Sequence, residues 1–216
     1  MTFDTTFDTF LFDLDGTLID SVDDLTTAAN LLRAELDLAP LEAEVVRGYV
    51  GDGATLLVKR SLPEGLFSEE RLQRFLELYG DHLLDRTVAY PGIRKFLEMH
   101  PGKKMAVVTN KPLRFALRLL EALELLPFFP VVVAPESCGA KKPDPAPVLH
   151  ALAKLRSDRV GAVFIGDHQT DLRAGRAAGV RTCFCAFGIG RDDGIPFDFL
   201  ARSPADLARL FPPEAR

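Results

Sequence analysis

The sequence has no tryptophan, three tyrosines and three cysteines in 216 residues. The cysteine count is odd and contains no CxxC pair, so no metal motif is built on thiols. Cys183 and Cys185 share one face of a predicted strand and read as small buried hydrophobes. No stretch approaches the roughly 18 unbroken apolar residues that a membrane span needs. A basic excess is also missing: the net charge of −5 argues against a nucleic-acid or anionic-membrane partner. The opening Met1-Thr2-Phe3-Asp4 lacks a basic segment, and a predicted core strand begins within about ten residues. Cleaving a leader there would remove part of the sheet, so a cytoplasmic protein is expected. Internal repeats and low-complexity linkers are lacking as well.

What remains is ordinary for a globular protein, with 47% hydrophobic and 26% charged residues. The length allows one large domain, or a core with a small accessory domain. Short apolar runs alternate with amphipathic stretches, the pattern of a parallel sheet flanked by helices. The predicted strands are Thr9–Leu14, Lys104–Thr109, Val131–Ala134, Ala162–Ile165 and Arg181–Cys185. Four follow one another at βαβ spacing, but about ninety residues separate the first from the second, too many for one crossover helix.

That gap reads as four helices. Ser21-Val22-Asp23-Asp24 has the form of a capping box, and Leu25, Ala28, Leu32 and Leu36 recur at helical spacing until Pro40. A second helix is predicted over Leu41–Val50. After the Gly51-Asp52-Gly53 turn, a third is predicted over Ala54–Leu62. Pro63 and Gly65 break that one, and Ser68 can cap a fourth carrying Leu72, Phe75, Leu76, Tyr79 and Leu83. The expected architecture is a Rossmann-like α/β core, residues 1–16 and 88–216, with a small inserted helical cap at 17–87.

Four segments carry chemistry. Phe10-Leu11-Phe12-Asp13-Leu14-Asp15-Gly16-Thr17 runs a buried strand into two acids at its carboxyl end, where open α/β sheets bind ligands. Val107-Val108-Thr109-Asn110-Lys111-Pro112 ends another strand with a hydroxyl and an amide, both able to bond phosphate oxygens. In Ala140-Lys141-Lys142-Pro143-Asp144-Pro145 the prolines restrict the backbone around a lysine. Phe164-Ile165-Gly166-Asp167-His168-Gln169-Thr170-Asp171 runs a strand into acids four apart at a helix start, where either could serve as a cap. So many carboxylates at one sheet edge would repel one another and a phosphate unless a divalent cation sat among them. Oxygen ligands suggest Mg²⁺ rather than zinc.

Taken in order, these segments resemble the four motifs of the haloacid dehalogenase superfamily, and within it the phosphoglycolate phosphatases. The resemblance covers nearly the whole chain, and the insertion sits where that family's helical cap of the first type sits. His168 departs from the pattern, since relatives usually have a serine there. The resemblance implies a phosphatase that attacks a small phosphomonoester, 2-phosphoglycolate first among the candidates, with Asp13 as nucleophile and Asp15 as general acid and base. It implies Mg²⁺ held by Asp13, the Asp15 backbone carbonyl and Asp167. Lys142, Thr109 and Asn110 would balance the phosphoryl oxygens, and Asp171 would orient Lys142 or a metal-bound water.

Specificity is expected from the cap, because the motifs see only the phosphate. The candidates are the turn Gly51, Asp52 and Gly53 with Arg47, Lys59 and Arg60, one of which would pair with a substrate carboxylate. His82, His100 and His150 receive no role. A capped pyrophosphatase or phosphomutase would keep the same motifs. A non-enzymatic phospho-acceptor would have neither the second acid nor the insertion.

Overall fold

The computed structural model describes residues 7–213; the Met1–Asp4 segment discussed above lies outside the described residues. In chain order the elements are β1 (Thr9–Phe12), β2 (Ile19–Asp20), α1 (Val22–Ala34), α2 (Ala43–Arg47), α3 (Ala54–Ser61), α4 (Glu69–Asp81), β3 (Val88–Ala89) and α5 (Ile93–Glu98). There follow β4 (Lys104–Val108), α6 (Leu113–Ala122), β5 (Val131–Val133), α7 (Pro135–Cys138), α8 (Ala146–Leu155) and β6 (Ala162–Gly166). The chain ends in α9 (Gln169–Ala178), β7 (Arg181–Cys185), β8 (Phe199–Ala201) and α10 (Pro204–Leu210).

Six strands form one parallel sheet in the order β5-β4-β1-β6-β7-β8. Successive strands build outward from β1 first to one side and then to the other, which is the doubly wound Rossmann arrangement. The central strand is apolar throughout because both its faces are covered. Phe10 and Phe12 enter one core cluster and Leu11 the other, as a period of two requires. Phe12 pairs in register with Val107 on one side and Ile165 on the other. Asp13 thus emerges at the crevice where strand order reverses, flanked by the ends of β4 and β6.

Five of these strands are the predicted ones; β8, a three-residue, half-buried edge strand beyond the Gly- and Asp-rich segment 188–198, is not among them. Cys183 and Cys185 are buried in β7, as expected of small hydrophobes. The four helices expected between the first two long strands are present. The second is shorter than predicted, Ala43–Arg47 against 41–50, and the third stops at Ser61 because Pro63 forces Leu62 into an extended conformation. Ser68 does cap α4, its Oγ accepting from the Arg71 N–H at 3.3 Å.

The expected capping box at Ser21 does not form. The Ser21 hydroxyl donates to Asp15 instead, at 2.5 Å. Asp24 is buried and accepts from the Arg86 N–H at 3.0 Å and from the Thr87 N–H and hydroxyl at 2.8 and 2.6 Å. Longer-range partners outcompeted the local cap. Next to this clamp, β2 and β3 pair antiparallel, Ile19 with Ala89 and Asp20 with Val88, so both ends of the helical insertion leave the sheet together.

Candidate active site

Asp13 follows β1 and is nearly inaccessible, and Lys142 reaches it from the loop before α8 with an Nζ–Oδ1 distance of 2.6 Å. The same ammonium lies 2.7 Å from Oδ1 of Asp171 in the first turn of α9. The other oxygen of Asp171 accepts from the His168 N–H at 2.9 Å. Asp167 completes the group: Oδ2 accepts from the Ile189 and Gly190 N–H groups at 2.9 and 2.7 Å, and Oδ1 from the Thr17 hydroxyl at 3.2 Å. Gly16 makes this approach possible. It holds φ +86°, and a Cβ there would fall 2.0 Å from Asp167 Oδ2.

Asp13, Asp167 and Asp171 each place a carboxylate oxygen within 4.8 Å of the others, all three buried. Against them, among the described residues, stands the single ammonium of Lys142. Burial, and then the charge of Asp171, push the Asp13 carboxyl well above its usual range despite Lys142. Burial and Asp171 likewise push Asp167 up to about 7, against the pull of its backbone donors. Lys142 is raised, because Asp13 and Asp171 together outweigh its own desolvation. An excess of buried carboxylate oxygen over cation is the donor set a hard divalent ion such as Mg²⁺ fits.

This charge excess has a measurable consequence. Carboxyls whose folded values are raised hold protons that the unfolded chain has already released. Without a cation, stability should therefore fall as pH rises from about 4 to about 7, by a few kcal/mol at most. Denaturant unfolding in EDTA should show a less stable protein near pH 7.5 than near pH 5, and Mg²⁺ should narrow that gap. Equal stability at the two pH values in EDTA would show that the carboxylates are already balanced.

The Asp15 carboxylate turns away from this cluster. Lys111 Nζ contacts both its oxygens, at 2.9 and 3.1 Å, and Ser21 donates to one. Lys111 is itself buried and raised, since Asp15 and Tyr79 outweigh desolvation. Neither Lys111 nor Ser21 was given a role in the site from the sequence, where Ser21 reads only as a helix cap. A lysine after Thr-Asn at a helix start has no local mark of burial, and only the fold brings it across to Asp15.

Thr109 accepts from the Lys111 N–H at 3.1 Å, which leaves its hydroxyl proton free to donate. Asn110 departs from expectation. Both hydrogens of its side-chain amide are engaged, one with the Gly51 carbonyl at 2.9 Å and one with the Lys142 carbonyl at 3.0 Å, while its Oδ1 accepts from the Lys142 N–H. It holds the lysine loop and the Gly51–Gly53 turn together and has no spare side-chain donor for phosphate.

Asp13, Asp15, Thr109, Asn110 and Lys111 line one chamber with Gly51 and Gly53 and apolar residues of α1, α3 and α4. None of the three expected cap cations lines it. Arg47 pairs with Glu44 at 3.1 Å, Arg60 pairs with Asp52 at 2.6 Å, and Lys59 lies over the Phe67 ring at 4.7 Å. Arg47, Asp52 and Arg60 line a separate polar cleft with His168 and Arg191. The His168 ring caps α9 through Thr170 and supports Gly51, where φ is +112° and a Cβ would come within 2.8 Å of the ring. The imidazole thus fills the seam between turn and core.

A Rossmann-type sheet with paired acids after its central strand, a buried lysine on the first of them and two further acids after the next strand defines a class. The family profile of haloacid dehalogenase-like hydrolases matches residues 10–185, and the chain belongs to that family. It is similar to the phosphoglycolate phosphatase of Nitrosospira multiformis, with 41% identity covering 84% of this chain and 85% of the relative. The phosphoglycolate phosphatase of Pseudomonas putida is 38% identical, covering 94% of this chain and 78% of the relative. Among solved structures, a predicted phosphoglycolate phosphatase from Haemophilus somnus 129pt superposes with a TM-score of 0.86 at 27% identity, covering 96% of this chain and 99% of that one.

Proposed function

We propose that this hydrolase cleaves 2-phosphoglycolate through an aspartyl-phosphate on Asp13, with Mg²⁺ as cofactor. The observation that carries the reading is the pairing of two acids with two buried lysines. Lys142 fixes Asp13 at the end of the central strand, and Lys111 fixes Asp15 two residues on, both acids facing one chamber. Lys142 holds Oδ1 of Asp13, leaving Oδ2 to attack phosphorus. As the Oδ2–P bond forms and the P–O ester bond breaks, Asp15 gives its proton to the leaving oxygen. Asp15 then takes a proton from the water that attacks the aspartyl-phosphate, releasing inorganic phosphate and restoring Asp13. The Thr109 hydroxyl donates to a phosphoryl oxygen throughout.

Asp13, the Asp15 backbone carbonyl and Asp167 would hold the Mg²⁺, with Asp171 orienting Lys142. When bound, the ion offsets the negative charge shared by the carboxylates and the phosphoryl group. The insertion, taken as a cap over residues 17–87, lines the chamber through Gly51, Gly53 and its helices and favours small substrates. The relatives named phosphoglycolate phosphatase support the choice of substrate.

Small phosphomonoesters and pyrophosphate, compared by kcat/KM with Mg²⁺ present, test the reading. Expected are 2-phosphoglycolate in first place and loss of turnover in excess EDTA, restored by added Mg²⁺. Pyrophosphate in first place would move the enzyme to another capped branch of the family. Full activity in EDTA would remove the metal from the scheme.

A further inference from the structure

The walls of the chamber are mostly apolar, with Leu25, Leu57, Phe75 and Phe115 among them, and Lys111 is the one cation lining it among the described residues. An ammonium has three N–H donors. Two of the contacts of Lys111 go to Asp15, at 2.9 and 3.1 Å, and its Nζ stands 4.6 Å from the centroid of the Tyr79 ring. Tyr79 is carried by α4 and packed between Phe75 and Phe115, with ring centroids 6.1 and 5.2 Å away. Its hydroxyl is buried beside the Lys111 ammonium, and its proton meets no acceptor among the described residues. Buried phenols ordinarily have one, because an unmade bond there costs the full desolvation of the group. An O–H without an acceptor and a buried ammonium in contact with the same ring make a receptor for an acceptor with two oxygens.

We infer that Lys111 and Tyr79 bind the carboxylate of the substrate, and so select phosphomonoesters that carry a carboxylate close to the ester oxygen. The inference rests on the phosphatase reading above and assigns the specificity contact to the core motif and α4, in place of Arg47, Lys59 or Arg60. Asp15 handles the leaving oxygen, and Lys111 touches Asp15. A group bound by Lys111 therefore lies on the leaving-group side of the site, close to that oxygen. The connectivity phosphorus, oxygen, carbon, carboxylate runs parallel to the series Asp13, Asp15, Lys111, Tyr79.

The test uses full-length enzyme with Mg²⁺ and three substrates: 2-phosphoglycolate, propyl phosphate and 3-phosphooxypropanoate. The quantity read is the ratio of kcat/KM for 2-phosphoglycolate to that for each other ester. Lys111→Met should lower the ratio against propyl phosphate roughly tenfold to a hundredfold, the worth of a charge-assisted contact. Tyr79→Phe removes only the hydroxyl, leaves the packing in place, and should lower the same ratio about fivefold. Both variants should also weaken inhibition by the product glycolate, a readout independent of the chemical step. If Lys111→Met lowers all three substrates alike, it only positions Asp15 and the inference is overturned. Should Lys111→Met not fold, Tyr79→Phe decides, and an unchanged ratio there overturns it. A wild type that hydrolyses all three esters equally well would keep the phosphatase and refute both the substrate and the subsite, whereas one that hydrolyses none would refute the phosphatase reading itself.

Discussion

Asp13→Asn is expected to lower turnover by at least about 10²–10⁴, the range a single catalytic group supplies, and to leave the fold intact. The amide has nearly the size of the carboxylate but cannot attack phosphorus. Stability should stay within about 1 kcal/mol of wild type. The substitution removes one charge from a group of three buried carboxylates, while Lys142 keeps Asp171 at 2.7 Å. Acid quenching during turnover should trap phosphate on the wild-type chain, in a peptide containing Asp13, and trap none on the variant. More than about a hundredth of wild-type activity in the variant would exclude Asp13 as the nucleophile.

Lys142→Met should be the most damaging single change to both activity and stability. The ammonium is buried between Asp13 and Asp171, and removing one partner of a buried ion pair typically costs about 3–5 kcal/mol. The loss arises from uncompensated carboxylates, so the double variant Lys142→Met, Asp171→Asn should recover part of the stability. The coupling measured by that cycle should lie at about 1–3 kcal/mol. Activity should not return with it, because Asp13 still lacks the group that holds its Oδ1. If the two substitutions simply add, Lys142 acts on Asp13 alone and the role given to Asp171 is wrong.

Much of this was visible before the fold was known, for a physical reason. Strand ends are marked locally: apolar residues run out at Phe12, Val108 and Ile165, and the first polar groups after them fall at one edge of a parallel sheet. Hence Asp13, Asp167, Asp171 and Lys142 could be placed together from spacing and resemblance. Lys111 and Ser21 could not. Each lies beside a strand end, but its partner is decided by which way the side chain turns. Competition among partners also misled the local signals. Ser21 and Asp24 look like a cap, yet Asp15 and the Arg86–Thr87 backbone take them. Asn110 looks like a phosphate ligand, yet two carbonyls take its amide. Arg60 faces Asp52, eight residues earlier, a pairing that helical spacing could not reveal. The edge strand β8 is too short to show an alternation.

The β2–β3 ribbon and the Asp24 clamp bear on how the sheet tolerates so long an interruption. Closing a flexible loop costs entropy that grows with its length, and β1 must find β4 across most of the first half of the chain. Once Asp24 binds Arg86 and Thr87, the ends of the insertion are joined beside the sheet. From there, β1 and β4 are separated by little more than two short linkers and α5. The assembling sheet then registers the insertion as a closed knot of chain rather than as slack. Helices between Ser21 and Thr87 can lengthen, shorten or be replaced at small entropic cost to the strands, provided the ribbon and the clamp persist.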